Sequence, residues 1–173
     1  DLIVNHVSSR SPQFADVIAR GSDSPWYPLF LTYQSVFPDG AREEEITAIY
    51  RPRPSLPWTP YTLGDTKHLM WTTFTPQQLD INVETDVGKA YLDSILDRFE
   101  QSGVSMIRLD AAGYAIKRPG TRCFMLPETY TFIQQLSDNA AARGIETLVE
   151  IHSHYQTQID IANRVGRVYD FAL

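Results

Sequence analysis

Strand-like apolar runs alternate with helical patterns through the second half of the chain, and this alternation limits the folds open to it. Helical apolar spacing covers three segments, 86–102, 127–143 and 155–164. Runs typical of buried strands lie between and after them, at 104–109, 145–151 and 167–173. Strands that alternate with helices form parallel sheets. The sequence therefore predicts an α/β protein, while periodicity alone leaves open a closed barrel or an open doubly wound sheet.

The start of the chain has the same order of strand and then helix. An apolar run over 1–4 turns polar at Asn5-His6. Ser11 is a favourable residue for a helix N-cap, and Pro12 fits the first helical position. Gly21 can end the helix. We therefore predict a strand followed by a short helix within 1–21.

Residues 22–70 interrupt this regular pattern. The segment contains seven prolines: Pro25, Pro28, Pro38, Pro52, Pro54, Pro57 and Pro60. Prolines break helical and strand periods, and so long a segment without regular structure is uncommon unless it serves a site. We predict an irregular insertion or a small lid domain here.

Composition excludes several classes of partner. The net charge is -6 and no block of Lys and Arg is present, which argues against binding to nucleic acid or to an anionic membrane. No apolar run is long enough to span a membrane.

Cys123 is the single cysteine and cannot form an internal disulfide, so a reducing compartment is allowed and we predict a cytoplasmic protein. Both ends lie in apolar runs, which suggests a piece of a longer chain.

Two carboxylates stand at the downstream ends of successive predicted strands. Asp110 ends the run that begins at 104, and Glu150 lies late in the run that begins at 145. Neighbouring strand ends can hold two acids at the roughly 5–5.5 Å that retaining glycosidic chemistry uses. Arg108 is two residues before Asp110, so both point to one side of the strand and the cation would keep Asp110 ionised. The alternative is that all three form an ordinary strand-end ion pair.

Two histidines also fall at predicted strand ends. Neutral imidazoles at His6 and His152 could donate hydrogen bonds to sugar hydroxyls, although a lone histidine is more often structural. No metal site is predicted, because no histidine pair with a carboxylate shows a local ligand spacing.

Three short motifs resemble the α-amylase clan of glycoside hydrolases and occur in that clan's order. They are DLIVNH at 1–6, RLDAAGY at 108–114 and EIH at 150–152. Four further segments resemble the sucrose phosphorylases and sucrose 6′-phosphate phosphorylases: IYRPRP at 49–54, FTPQQLD at 74–80, GTRCFM at 120–125 and VYDFAL at 168–173. The resemblance implies a (β/α)8 TIM barrel, present from about strand 3 to strand 6. It also implies barrel segments at 1–21 and 73–173, with an inserted domain at 22–72.

The resemblance also implies roles for individual residues. Asp110 would be the nucleophile, Glu150 the general acid/base, and Arg108 would orient Asp110. The glucosyl site would be lined by His6, Phe74, Gln78, Tyr114 and His152. Arg51 and Arg53 would face phosphate or the fructosyl side, between prolines that stiffen their loop. Phe74 and Tyr114 could instead be core residues, and the two arginines could lie on a solvated loop.

The expected reaction is retaining glucosyl transfer from sucrose to phosphate, with phosphate as co-substrate and no cofactor. Sucrose 6′-phosphate or glucosylglycerate as donor, a plain α-glucosidase or transglucosylase, and a non-catalytic barrel remain alternatives. The clan's third carboxylate, at its seventh strand, would lie beyond residue 173. We therefore expect the segment alone to be inactive and unlikely to fold stably.

Overall fold

The computed structural model describes residues 1–151, 154–165 and 167–169. The strands in these ranges are β1 (Leu2–Ile3), β2 (His6–Ser8), β3 (Trp58–Leu63), β4 (Thr66–Trp71), β5 (Gln78–Asp80), β6 (Met106–Asp110) and β7 (Glu146–Val149). The helices are α1 (Pro12–Arg20), α2 (Tyr33–Val36), α3 (Glu43–Ala48), α4 (Asp86–Gln101), α5 (Pro127–Ala141) and α6 (Tyr155–Val165). Short 3-10 turns occupy Gly21–Asp23, Tyr27–Leu29 and Ala112–Tyr114.

A parallel sheet in the order β1-β6-β7 forms the centre of the molecule. Leu2 lies opposite Leu109, and Met106 lies opposite Glu146. Val168 makes one further parallel bridge, to Val149. The rest of the strand predicted over 167–173 lies largely outside the described residues. The α/β prediction is confirmed, because α5 connects two parallel neighbours and the carboxyl ends of β1, β6 and β7 share one edge.

Local signals account for the helix ends. The Ser11 hydroxyl accepts from the backbone N–H of Phe14 at 3.2 Å, so the predicted N-cap of α1 is confirmed. The Thr85 hydroxyl caps α4 in the same way, through the N–H of Gly88 at 3.0 Å. Among the described residues, no helix has both the length and the apolar character needed to cross a membrane.

The proline-rich segment is more regular than the sequence suggested. β3 and β4 form an antiparallel hairpin with six register pairs, from Trp58 opposite Trp71 to Leu63 opposite Thr66. The expectation of an irregular segment is therefore wrong for this stretch. Pro60 is tolerated because β3 pairs only with β4 among the described strands, so one side of β3 has no partner strand. The missed signal is Gly64-Asp65 between the two runs, where Gly64 takes φ +56° and closes the turn.

A second pair of strands joins the start of the chain to the segment that follows the hairpin. β2 and β5 pair antiparallel, with His6 opposite Asp80 and Ser8 opposite Gln78. Three-residue strands are too short to show an alternating pattern, so the sequence did not predict this pair. Its consequence is positional, because it brings the segment 73–80 to the edge where the parallel strands end.

Candidate active site

A cleft of about 590 Å³ opens at the carboxyl edge of the parallel sheet. Its lining includes seven of the residues that the sequence suggested: His6, Arg53, Phe74, Gln78, Asp110, Tyr114 and Glu150. Arg108 reaches the same place through its ion pairs, and Arg51 lines a neighbouring cleft. His152 lies outside the described residues. Side chains from five separate parts of the chain therefore meet at one site.

One guanidinium group connects the acidic residues of the cleft. Arg108 Nη2 lies 3.2 Å from Asp110 Oδ1, and Arg108 Nη1 lies 3.8 Å from Glu150 Oε1. The same side chain makes a two-pronged contact with Asp1, at 3.0 and 2.8 Å. The prediction that Arg108 and Asp110 share one side of the strand is confirmed. Three carboxylates share one cation, so acidic groups outnumber the positive charge at this site. Arg108 also holds the two cleft acids in place.

The backbone bends sharply after Asp110 and directs the next residues along the cleft. Ala111 takes the left-handed conformation at φ +57°, which is uncommon for a residue with a side chain. Gly113 follows in a place where a Cβ would come within 2.7 Å of Phe124 Cε2. This bend and close approach place Tyr114 beside the nucleophile candidate.

Aromatic rings line the wall next to the acids. Phe74 contacts the rings of His6 and Tyr114, with centroids 5.2 and 5.1 Å apart. Tyr50 and Phe124 extend this wall and also line the cleft, and sequence reasoning assigned neither of them a role. Burial, together with the neighbouring Tyr50, raises the pKa of Tyr114 to about 12. Its phenol is therefore neutral and can donate a hydrogen bond.

His6 lies in a hydrogen-bonded chain that orders its nitrogen atoms. The Thr75 hydroxyl donates to Gln78 Oε1 at 2.9 Å, which turns the Gln78 amide nitrogen toward His6 Nε2 at 2.8 Å. Nε2 then accepts, and the proton of the neutral ring is on Nδ1, which is buried and has no hydrogen-bond partner among the residues that the structure describes. Burial lowers the pKa of His6, although Asp80 and Asp110 oppose this effect. The ring is therefore neutral near pH 7.

Three arginines line a second cleft, of about 570 Å³, beside the first. They are Arg51, Arg53 and Arg122, and within the described part of the chain none makes an ion pair with a carboxylate. Arg122 lies over the Tyr50 ring at 5.4 Å, and its carbonyl accepts from the Tyr50 N–H at 2.8 Å. Tyr50, Pro52 and Arg53 line both clefts. Sequence reasoning missed Arg122, because it lies far along the chain from the other two.

A buried polar group under the cleft was also missed. Asp80 and Lys117 form an ion pair at 2.7 Å, and Asn5 bonds to both of them. Nothing in the sequence distinguishes these residues from exposed polar residues. Among the residues that the structure describes, no group of three or more His, Cys, Asp and Glu side chains is placed to hold a metal ion.

Comparison with known proteins gives consistent relatives along the whole chain. A sucrose phosphorylase from Bifidobacterium adolescentis is 53% identical over 173 residues, which are 100% of this chain and 34% of that protein. A glucosylglycerol phosphorylase from Marinobacter adhaerens is 38% identical over 178 residues, covering 100% of this chain and 36% of that protein. The chain therefore spans about a third of the length of these relatives. No protein-family model matches the sequence.

Solved structures show the same similarity. The crystal structure of sucrose 6F-phosphate phosphorylase from Thermoanaerobacter thermosaccharolyticum matches with a TM-score of 0.93 and 34% identity, over 99% of this chain and 36% of that one. The trehalulose synthase MutB matches with a TM-score of 0.76 and 20% identity, over 98% of this chain and 33% of that one. This second match shows the fold alone, which is that of α-amylase-family TIM-barrel enzymes.

Proposed function

We propose that the complete protein is a retaining glucosyl phosphorylase. The premise is that this chain belongs with the sucrose phosphorylases and sucrose 6F-phosphate phosphorylases, to which it is homologous along its whole length. The reaction is transfer of a glucosyl unit from sucrose to inorganic phosphate, giving α-glucose 1-phosphate and fructose. Phosphate is a substrate in this scheme, and no cofactor is required.

The observation that carries this proposal is the pairing of two carboxylates with one guanidinium in a single cleft. Asp110 and Glu150 keep 25% and 19% of their side chains exposed, so a substrate can reach both. Arg108 contacts each of them and limits their movement. Two held carboxylates beside a sugar-sized cleft are the pair of groups that retaining glycosidic chemistry uses, which supports the proposal.

In the first step Asp110 attacks the anomeric carbon of the glucosyl unit. A bond forms between a carboxylate oxygen and that carbon, while the bond to the fructosyl oxygen breaks. Glu150 gives its proton to the departing oxygen, so fructose leaves as a neutral alcohol and a β-glucosyl ester remains on Asp110. Glu150 must carry a proton when this step begins, as a general acid does.

In the second step a phosphate oxygen attacks the same carbon from the face that fructose left. The ester bond to Asp110 breaks, and Glu150 takes up the proton of the attacking phosphate. The two inversions give α-glucose 1-phosphate with retained configuration. Water can take the place of phosphate, so slow hydrolysis is expected as a side reaction.

The neutral wall of the cleft suits recognition of the glucosyl unit. The phenol of Tyr114 can donate to sugar hydroxyls, the His6 ring lines the same wall, and Gln78 holds that ring. Phe74 can pack against an apolar face of the sugar ring. His152 would add to this wall from its position just after Glu150.

Arg51, Arg53 and Arg122 support a phosphate-handling side of the site. These three guanidinium groups make no ion pair among the described residues and line one cleft, and a planar fork suits phosphate oxygens. The same cluster would also suit a phosphorylated leaving group. Sucrose 6F-phosphate is therefore the second candidate donor, and Arg51 and Arg122 are the residues that would favour it.

We further propose that the described strands belong to a (β/α)8 barrel, from about its third strand to its sixth. The parallel order β1-β6-β7, with Val168 bridged to Val149, supports successive barrel strands. In this scheme 1–21 and 73–173 are barrel segments, and 22–72 is an inserted domain that carries the β3–β4 hairpin. On this proposal, the remaining strands and the third carboxylate would belong to other parts of the complete protein.

The deciding experiment measures products of the complete protein in phosphate buffer, with sucrose and sucrose 6F-phosphate offered separately. Faster release of α-glucose 1-phosphate from sucrose is the expected result. Preference for the phosphorylated donor would assign the sister activity. Free glucose alone would identify a hydrolase or transglucosylase. If neither donor gave any product, both assignments would be overturned, and the remaining alternatives would be another glucoside as the donor or a non-catalytic barrel.

A further inference from the structure

A buried ion pair lies beneath the cleft. Lys117 Nζ is 2.7 Å from Asp80 Oδ2, and the two side chains are 2% and 0% exposed. Lys117 also donates to Asn5 Oδ1 at 2.9 Å and to the carbonyl oxygen of Tyr114. Its three donors are therefore all used.

The carboxylate of Asp80 is equally well bonded. Oδ1 accepts from the backbone N–H of Thr73 at 2.9 Å, and Oδ2 accepts from the Thr73 hydroxyl at 2.6 Å and from Asn5 Nδ2 at 3.0 Å. Burying two charges is expensive, and replacing such a pair with apolar residues is often neutral or stabilising. Stability alone is therefore a weak reason for this arrangement.

The segments that meet at this pair each carry a wall residue of the cleft. Asn5 precedes His6, and Asp80 lies opposite His6 in the β2–β5 register. Thr73 precedes Phe74. On the other side, Lys117 holds the backbone carbonyl of Tyr114 itself. One ion pair thus connects β2, the segment 73–80 and the loop after β6.

We propose that the Lys117–Asp80 pair is a positioning device that sets the neutral wall of the cleft, His6, Phe74 and Tyr114, against the acids on the opposite side. Lys117 and Asp80 do not touch the substrate in this scheme. They act by holding three separate segments at one distance from Asp110. The inference rests on the proposed function in one respect, because its kinetic test measures the proposed phosphorylase reaction.

The pair also balances charge beside His6. The charged groups that act on the His6 ring are Asp80 from β5, Asp110 from β6 and Lys117 from the following loop. The two aspartates raise the pKa of His6, and Lys117 lowers it. Removing either member of the pair would therefore move the titration of His6, and in opposite directions.

The first test compares Lys117→Met with Lys89→Met, an exposed lysine on α4, in the complete protein. We expect Lys117→Met to lower kcat/KM per folded molecule about 10- to 100-fold, because small misplacements of reacting groups cost that much. Circular dichroism confirms folding at the assay temperature. A folded Lys117→Met protein with kcat/KM within about twofold of wild type would overturn the proposal, since a merely structural pair would change only the unfolding temperature.

The second test follows His6 directly, without substrate, by NMR of ¹³C-histidine-labelled protein with His6→Gln for assignment. The His6 titration midpoint should rise in Lys117→Met, fall in Asp80→Asn and return toward wild type in the double variant. The double variant leaves no buried charge uncompensated, so it supplies the kinetic measurement if Lys117→Met fails to fold. It should remain slow, because the Tyr114 carbonyl has lost its donor. Unchanged midpoints in both single variants would remove the charge-balancing role.

These measurements separate two failures. A wild-type protein that releases no α-glucose 1-phosphate contradicts the proposed function, whereas the His6 titration still tests the pair. If the protein is an active phosphorylase and neither substitution changes its kcat/KM or the titration midpoint of His6, only the positioning role is contradicted.

Discussion

The two sides of the cleft are built from different structure and carry different chemistry. The ends of the parallel strands β6 and β7 supply Asp110 and Glu150, which share Arg108. The antiparallel pair β2–β5 and the segments around it supply neutral rings and amides, such as His6 and Gln78. The charged side suits bond making and breaking, and the neutral side suits recognition of the sugar.

This difference has a physical basis. Parallel strands end together at one edge, so charged groups placed there meet in a single small volume. The opposite wall comes from distant segments, which require their own connections. A satisfied ion pair below the surface provides them here, and it leaves the exposed face of that wall free of net charge.

Asp110→Asn should give the largest loss, because an amide cannot form the glucosyl ester. We expect kcat to fall about 10⁴-fold or more, the scale seen when a nucleophile is removed. The measurement is release of α-glucose 1-phosphate by the complete protein. The control is Asp97→Asn, which makes the same change at an aspartate of α4. Asp97 forms an ion pair with Arg143 at 2.8 Å, and its substitution should leave the rate near wild type. A near-normal rate for Asp110→Asn would refute its role as nucleophile.

Glu150→Gln should cost less, about 10²- to 10⁴-fold in kcat, because it removes proton transfer and leaves the nucleophile. Much of the loss in the first step should disappear with glucosyl fluoride, whose leaving group needs no proton. Glu146→Gln is the matched control, since Glu146 lies at the other end of β7 and pairs with Arg167 at 3.0 Å. Equal losses with sucrose and with the fluoride would count against Glu150 as the acid.

Substitution of the unpaired arginines should change recognition rather than bond breaking. Arg53→Gln should raise the KM for phosphate about tenfold, the scale of one charge-assisted hydrogen bond. Arg122→Gln should have a smaller effect, because Arg122 lines only the neighbouring cleft. Hydrolysis without phosphate should stay near wild type in both, as in the exposed control Arg98→Gln. Equal falls in hydrolysis and phosphorolysis would place these residues elsewhere in the mechanism.

His6 should contribute a modest pH dependence of stability. Burial lowers its pKa in the folded protein below the usual 6.5, so the unfolded chain binds more protons in the interval between the two values. The stability contribution is therefore complete above pH 6.5 and is lost as the pH falls toward the folded pKa. The unfolding temperature, measured from about pH 7.5 down to about pH 5.5, should fall more steeply for wild type than for His6→Gln. Parallel curves would contradict a lowered pKa.

Much of the strand and helix order was predictable because it depends on local chemistry. The spacing of apolar residues gave α4 and α5, and Ser11 with Pro12 marked the start of α1. Strand-end acids were also visible, because Asp110 and Glu150 each follow an apolar run. The hairpin β3–β4 was missed because prolines concealed a turn at Gly64-Asp65.

The sequence by itself determined an α/β chain, two acids at successive strand ends and a cation two residues before the first. These features depend on periods of two and about four residues, which any local stretch of sequence displays. Only the tertiary structure decided that Arg108 contacts both acids, that Arg122 joins Arg51 and Arg53, and that Lys117 is buried against Asp80. Such contacts join residues many positions apart, and no local pattern records which polar side chain the fold will bury or which it will leave beside the substrate.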